Sequence, residues 1–201
     1  MTARIDHTVT SGTFSLDGQT FDVDNNVWVI GDDTEVVVID APHDVQPILD
    51  LVGERTVLAI LATHGHDDHI RMAPDLAAAV AAPILMHAAD APVWALTHET
   101  PPDDDLVDGQ EIPIGGTTLR VIHTPGHTPG AVSFYAEDLG VVFTGDTLFN
   151  GGPGATGRSF SDSDLIVESI RSKLLVLPDD TVVKTGHGDD TTIGAERGNL
   201  G

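Results

Sequence analysis

The chain has 201 residues, 40% of them hydrophobic, which is enough apolar material for one sizeable core and too little chain for two ordinary domains. It contains no cysteine, so disulfides, thiolate metal sites and cysteine nucleophiles are excluded. The 9 basic and 32 acidic residues give a formal net charge of −23, which disfavours contact with nucleic acid and with anionic membranes.

The N-terminal segment, residues 1–11, is polar and lacks the basic start and apolar stretch of a secretory signal. No stretch of the sequence approaches the roughly 18 apolar residues that a membrane-spanning helix needs. We therefore expect a cytoplasmic protein that binds neither membrane nor nucleic acid.

The first half of the chain predicts strands followed by helices. Runs of β-branched and aliphatic residues, separated by turns at 17–18 and 31–33, predict strands at 12–16, 19–23, 26–30 and 36–40. Apolar spacing and alanine-rich composition predict helices at 45–52 and 69–82, on either side of a buried strand at 56–62.

The second half shows a similar alternation. We predict strands at 84–87, 118–123, 131–135, 141–144 and 181–184. Between them lie a helical turn at 88–96, loops at 98–105 and 151–157, and a helix at 163–177. Strands and helices grouped in this way predict an α/β fold in which two packed sheets are covered by helices, as a single domain spanning residues 1–201.

The segment 63–69 carries three histidines and two aspartates directly after a predicted buried strand. Alternate residues of an extended chain share a face, so His64 and His66 can converge on one metal ion, and Asp68 continues this alternation. His69 begins the next helix, where the change of direction lets its ring reach a second ion. Imidazole and carboxylate groups suit Zn²⁺, Fe²⁺ and Mn²⁺. The segment therefore predicts a metal site rather than a polar turn that caps a helix.

Three further candidate ligands each follow an apolar strand and stand beside glycine. They are His127, Asp146 and His187. Glycine lets the backbone turn sharply and approach closely, which suits a ligand that is presented from a loop. Each residue alone is weak evidence, but together with the segment 63–69 they predict one shared metal centre.

The order Thr-His-x-His-x-Asp-His, Gly-His, Gly-Asp and Gly-His-Gly resembles the metallo-β-lactamase superfamily and, within it, the glyoxalase II-type (hydroxyacylglutathione hydrolase-like) enzymes. The resemblance extends over residues 25–199 and includes the segments 147–149 and 192–197. It implies an αββα sandwich with the active site at one edge, between the sheets. It also implies that His64, His66 and His127 hold one metal ion, that Asp68, His69 and His187 hold a second, and that Asp146 bridges both.

The same resemblance implies a dinuclear hydrolase that cleaves thioesters of a low-molecular-weight thiol. Two divalent ions are expected, zinc first, with iron and manganese as alternatives. A hydroxide that bridges the metals would be the nucleophile, because coordination lowers the pKa of water towards about 7. Asp68, which would orient the hydroxide, and Asp146 are the predicted catalytic carboxylates.

The sequence departs from the glyoxalase II pattern at two places. The chain ends soon after the last predicted ligand, where those enzymes carry a helical domain for glutathione, and Ile70-Arg71 replaces their usual Gly-Gly. We therefore expect a thiol other than glutathione, with mycothiol as one candidate. Arg158, Lys184 and His43 are predicted substrate contacts; the alternative for Arg158 is an ion pair with Asp162 or Asp164.

Other functions use the same motif order. A persulfide dioxygenase would bind a single iron through two histidines and an aspartate, and a lactonase or β-lactamase would share the hydrolytic chemistry. A nuclease of this superfamily is disfavoured by the net charge of −23 and the lack of a basic patch. A non-catalytic binding module would be expected to have lost ligands, and all seven are present here.

Overall fold

Two six-stranded sheets pack face to face between layers of helices in a computed structural model that describes residues 2–200. The first sheet follows chain order: β1 (Arg4–Leu16), β2 (Gln19–Gly31), β3 (Glu35–Ile39), β4 (Thr56–Leu61), β5 (Ile84–Met86) and β6 (Asp104–Asp105). The second sheet contains β7 (Glu111–Ile114), β8 (Thr117–His123), β9 (Val132–Ala136), β10 (Val141–Gly145), β13 (Val182–Thr185) and β14 (Thr191–Thr192), in the order β14-β13-β10-β9-β8-β7. A separate ribbon pairs β11 (Leu148–Phe149) with β12 (Gly152–Pro153).

The helices are short and lie on the outer faces of the sheets. They are α1 (Val45–Val52), α2 (Asp67–Ile70), α3 (Ala73–Val80), α4 (Ala91–Trp94), α5 (Ser163–Ser169) and α6 (Ile193–Leu200). Single 3₁₀ turns lie at Ala88–Asp90 and Glu137–Leu139, and a π-helical segment, Ile170–Leu174, continues α5. Within residues 2–200, none of these helices has the length and apolar character needed to cross a lipid bilayer.

Strand β3 shows how the sequence produces the layers. Successive side chains of a strand point to opposite faces. Val36 and Val38 accordingly pack with Ile48 of α1 in the core beneath the first helical layer. Val37 and Ile39 belong to the core between the two sheets, which also contains Phe134 and Phe143. A third cluster joins the second sheet to α5 through Val142, Val183 and Ile166. The expected αββα sandwich is therefore confirmed.

Four of the predicted elements have different bounds in the structure. The strand predicted at 12–16 begins at Arg4, and the two strands predicted at 19–23 and 26–30 form one continuous strand, β2. β1 pairs with β2 along its whole length, but as an edge strand it remains largely accessible and lacks a clear apolar alternation. The helix predicted at 69–82 is divided into α2 and α3, because Pro74 starts a new helix at a position where no amide hydrogen is needed.

Candidate metal centre

The seven predicted ligands come together at one edge of the sandwich, although they belong to both sheets. Residues 64–69 follow β4 of the first sheet, whereas the other three follow strands of the second: His127 after β8, Asp146 after β10 and His187 after β13. Their donor atoms form overlapping groups in which all atoms lie within 4.8 Å of one another. The structure thus brings together all seven residues that were predicted from the sequence to be ligands.

His64, His66 and His127 form the first group, called here the three-histidine group. His66 Nδ1 lies 3.1 Å from His64 Nε2 and 3.0 Å from His127 Nε2. Nitrogen ligands at about 2.0–2.1 Å from a tetrahedral zinc are about 3.3 Å apart, so these separations are close to those of a metal-bound set.

Asp68, His69 and His187 form the second group, called here the mixed group. His187 Nε2 lies 3.3 Å from Asp68 Oδ2 and 3.3 Å from His69 Nε2. Asp146 lies between the two groups, since its Oδ2 is 3.5 Å from His127 Nε2 and 3.4 Å from His187 Nε2. Its Oδ1 is buried and lacks a hydrogen-bond partner within residues 2–200. A carboxylate placed in this way can contact one ion with each oxygen.

The histidine rings are oriented by acceptors that lie outside the centre. His127 Nδ1 donates to the carbonyl of Ala155 at 2.9 Å, and His187 Nδ1 donates to the carbonyl of Asp24 at 2.7 Å. A carbonyl can only accept, so Nδ1 must carry the hydrogen and Nε2 is left facing the centre. This arrangement fixes the tautomer that a metal ligand requires.

Asp40 orients the ligands that follow β4 in the same way, and it was not identified from the sequence. Its carboxylate is buried and accepts hydrogen bonds from His69 Nδ1 at 2.8 Å, Thr63 N at 2.7 Å and Thr63 Oγ1 at 2.8 Å. Because the Thr63 hydroxyl gives its hydrogen to Asp40, it accepts one from His64 Nδ1, 3.0 Å away. Asp40 has a φ of 62°, in the left-handed region that aspartate tolerates better than most residues.

The two groups differ in charge. Burial, with His127 close by, lowers the pKa of His66 to about 3, and burial likewise holds the pKa of His64 well below its usual range. Burial also opposes protonation of His187, but Asp146 outweighs it and raises the pKa of His187 to about 10. His64 and His66 are therefore neutral, whereas protonated His187 balances the carboxylates beside the mixed group. Metal cations would take over that balance by displacing the protons.

Gly186 shows why glycine precedes the last predicted ligand. A Cβ atom at this position would lie 2.3 Å from Asp146 Oδ1 and 2.9 Å from His69 Cε1. Such contacts are far inside van der Waals distance, so only glycine lets the backbone pass this close to the centre. The glycine seen in the sequence motif is thus required by the packing of the site itself.

Comparison with known proteins agrees with this geometry. The family model of the metallo-beta-lactamase superfamily matches residues 20–187. The chain belongs to the metallo-β-lactamase superfamily. It is 31% identical over 187 residues to hydroxyacylglutathione hydrolase GloC of Haemophilus influenzae, with 85% of this chain and 87% of that protein covered. Membership of this superfamily supports the prediction that the protein is a metal-dependent hydrolase.

Two solved structures of similar size are also related. The B3 metallo-beta-lactamase BLEG-1 has 32% sequence identity and a TM-score of 0.79, with 94% of this chain and 97% of that one covered. TTHA1623, solved in a di-iron-bound form, has 32% identity and a TM-score of 0.77, with 88% and 94% covered. The second shows that this fold, at this level of similarity, can hold two iron ions.

A pocket of about 190 Å³ opens onto the metallo-β-lactamase centre. Its floor is formed by five of the predicted ligands: His66, Asp68, His127, Asp146 and His187. Its walls come from the hairpin of β1 and β2 and from the loop after β12: Phe14, Phe21, Val23, Ala155, Arg158, Ser159 and Ser161. A substrate in this pocket would meet an apolar wall on one side and the metal centre below.

Arg158 is the predicted substrate contact that lies at this pocket. Its guanidinium carbon lies 4.6 Å from the ring centre of Phe21 and 5.7 Å from that of Phe14, and Nη1 donates to Gln19 Oε1 at 3.1 Å. The alternative ion pair with Asp162 or Asp164 is not formed, and the Asp162 carboxylate instead caps the first turn of α5. Within residues 2–200, Arg158 has no carboxylate at ion-pair distance, so its charge remains available to a ligand.

The other two predicted substrate contacts lie elsewhere. Lys184 forms an ion pair with Asp190, and its amine lies 4.8 Å from the ring centre of Trp28, outside the pocket. His43 lies behind the centre, where its Nε2 donates to Asn25 Oδ1 at 2.8 Å. Asp190 holds the Lys184 side chain away from the pocket, and the amide of Asn25 holds the ring of His43.

Asn25 links His43 to the mixed group and was not identified from the sequence. It is fully buried, and its Nδ2 donates to Asp68 Oδ2 at 3.2 Å. His43 is therefore connected to the site through an amide that touches a predicted ligand. No local sequence signal distinguishes this asparagine, because Asp68 is 43 residues further along the chain.

Proposed function

We propose that this protein is a dinuclear metal-dependent hydrolase that cleaves thioesters of a low-molecular-weight thiol. The observation that carries the proposal is the set of outward hydrogen bonds from Nδ1 of His64, His69, His127 and His187, which leaves Nε2 of each ring facing the centre. Such an arrangement has no structural purpose in a neutral core, whereas metal ligands require it.

The residues fit two divalent ions, with zinc as the first candidate and iron or manganese as alternatives. The three-histidine group would hold one ion, the mixed group the other, and Asp146 would touch both. Ions bound there would supply Lewis-acid activation of the thioester carbonyl and a lower pKa for water. The orphaned Oδ1 of Asp146 and the converging imidazole nitrogens support this assignment.

The remaining roles belong to the pocket. Phe14, Phe21 and Val23 form an apolar wall that would hold the substrate and exclude water from the reacting bond. Asp68 lies at the floor of the pocket, and its Oδ2 is 3.3 Å from His187 Nε2. From this position its carboxylate can bind an ion and can also accept a proton at the centre. Arg158 would bind an anionic group of the thiol or acyl portion, since a guanidinium matches carboxylate geometry.

The thioester class is supported by the similarity to hydroxyacylglutathione hydrolase GloC. The test is to purify the protein without chelators, measure metal per chain by elemental analysis, and assay S-lactoyl and S-formyl thioesters of glutathione and mycothiol. We expect about two metals per chain and turnover of at least one thioester. Two metals without thioester turnover would contradict the substrate class, and one iron per chain with oxygen uptake from a persulfide would indicate a dioxygenase.

A β-lactamase is the second candidate, favoured by the 32% identity and the TM-score of 0.79 to BLEG-1. A chromogenic cephalosporin assayed on the same preparation separates the two. Hydrolysis of the cephalosporin with a higher kcat/KM than that of any thioester would replace the thioesterase proposal.

Replacement of Arg158 with glutamine is expected to raise KM for an anionic thioester by about tenfold or more, because a charge-assisted hydrogen bond contributes about 1.5–3 kcal/mol. The kcat should change little, since Arg158 contacts no predicted ligand. The matched control is Arg120→Gln, because Arg120 also stacks on an aromatic ring, 5.4 Å from the ring centre of Tyr135, but outside the pocket. Equal effects of the two variants, or an equal rise for an uncharged thioester, would contradict the role.

A further inference from the structure

A buried carboxylate outside the ligand set joins the two segments that carry the three-histidine group. Asp90 is fully buried at the end of the 3₁₀ turn that precedes α4. Its Oδ2 accepts hydrogen bonds from Gly65 N at 2.8 Å and Thr128 Oγ1 at 2.7 Å, and its Oδ1 accepts one from Gly130 N at 2.5 Å. One side chain therefore binds both the β4 loop and the loop between β8 and β9.

The bonded positions stand next to the predicted ligands. Gly65 lies between His64 and His66, and Thr128 directly follows His127. These two segments are 61 residues apart in sequence, measured from His66 to His127, and belong to different sheets. The distance between them at the site therefore depends on contacts such as those of Asp90, because no short stretch of backbone connects them.

The two loops pack tightly against the backbone of the turn that carries Asp90. A Cβ at Gly130 would lie 2.6 Å from Asp90 N, and a Cβ at Gly65 would lie 2.9 Å from Trp94 N. Both loops therefore approach the turn as closely as glycine allows. Three hydrogen-bond donors from these loops are directed at the carboxylate.

We propose that Asp90 is a positioning residue that sets the spacing of the three-histidine group and so determines the affinity of one of the two metal ions. The inference rests on the proposed dinuclear centre. Within residues 2–200, the donors to the Asp90 carboxylate belong to Gly65, Thr128 and Gly130, so the mixed group is held by other contacts. The effect of Asp90 should therefore be selective for one ion.

The direct test is Asp90→Asn, which keeps the shape of the side chain. In either orientation of the amide, its NH₂ faces a backbone N–H, of Gly130 or of Gly65, so one loop loses its acceptor. Partners that orient metal ligands typically contribute about 10- to 100-fold to metal affinity. We expect the three-histidine ion to be lost at about 10- to 100-fold lower chelator concentration than in the wild type.

The measurement is zinc per chain after equilibration in a series of zinc buffers, with thermal unfolding recorded on the same samples. Asp32→Asn is the matched control, because Asp32 is also buried and accepts bonds from Thr34 N, Thr34 Oγ1 and Glu35 N, but in a turn away from the centre. The proposal is supported if Asp90→Asn retains about one zinc per chain where the wild type and Asp32→Asn retain two.

A second pair of variants serves if Asp90→Asn does not fold. Thr128→Val removes one donor to Asp90, and Thr128→Ser keeps it, so only the valine variant should weaken one zinc site. The proposal is overturned if Asp90→Asn, or Thr128→Val in its place, binds two zinc ions as the wild type does, or loses both together in proportion to its fall in Tm. A wild-type chain that binds no zinc, iron or manganese would instead refute the proposed dinuclear centre, and the role of Asp90 with it.

Discussion

Replacing Asp146 with alanine is expected to abolish hydrolysis and to reduce the metal content. The Asp146 carboxylate lies within 3.5 Å of a nitrogen in each group, His127 Nε2 and His187 Nε2. Loss of a partner that merely orients a ligand costs about 10- to 100-fold in affinity or activity, so loss of a shared ligand should cost more. Steady-state hydrolysis and elemental analysis of the same preparation measure both effects.

The control for this variant is Asp189→Ala. It removes one negative charge from an exposed position two residues after His187 and has no contact with the centre. Its metal content and kcat/KM should equal those of the wild type. Full activity with two metals per chain in the Asp146→Ala protein would refute the assignment of Asp146 as the shared ligand, whatever the substrate proves to be.

Asp40→Asn is expected to lower the affinity of the mixed group while leaving the fold largely intact. The amide oxygen can still accept from Thr63 N, but the amide nitrogen then replaces Oδ2 and faces His69 Nδ1. His69 must respond by accepting at Nδ1 and carrying its hydrogen on Nε2, which removes the lone pair that a metal needs. The principle is known from catalytic triads, where the corresponding change produces the wrong histidine tautomer.

We expect a loss of about 10- to 100-fold in the affinity of one zinc ion and a small change in Tm. Asp40→Ala is the contrasting variant: it leaves the buried Thr63 and His69 donors unpaired, at about 1–3 kcal/mol each, and so should lower stability as well. Asp32→Asn again controls for the loss of a buried carboxylate. Unchanged zinc affinity in a folded Asp40→Asn protein would contradict the tautomer argument.

The ligands could be predicted from sequence because each stands at the end of an apolar strand beside a recognisable turn. The segment 64–69 is contiguous, and a glycine precedes each of the other three ligands: Gly126, Gly145 and Gly186. Of these, Gly186 lies against the centre itself. The strands themselves follow from β-branched runs such as 36–39, where alternate side chains enter different cores. Local pattern and tertiary packing agree at these places.

The residues that orient the ligands could not be predicted in this way. Asp40 is 29 residues from His69, and Asp90 is 40 residues from Gly130, so only the three-dimensional structure brings them together. Asn25 lies in a stretch predicted as a break, since asparagine is depleted in strands, yet β2 runs through it. Within the strand, the side-chain amide of Asn25 is satisfied by the hydrogen bond to Asp68, a contact that the local sequence does not reveal.

The distribution of the ligands over both sheets has a consequence for folding. A metal ion held by His66 and His127 closes a loop of 61 residues, and one held by His69 and His187 closes a loop of 118. A cross-link over about 100 residues removes on the order of 4–5 kcal/mol of chain entropy from the unfolded state in the loop-closure treatment of disulfides. Because the chain has no cysteine, bound ions would take the place of disulfides as cross-links between the two halves of the chain. Metal supply would then set how long the protein survives proteolysis as well as whether it is active.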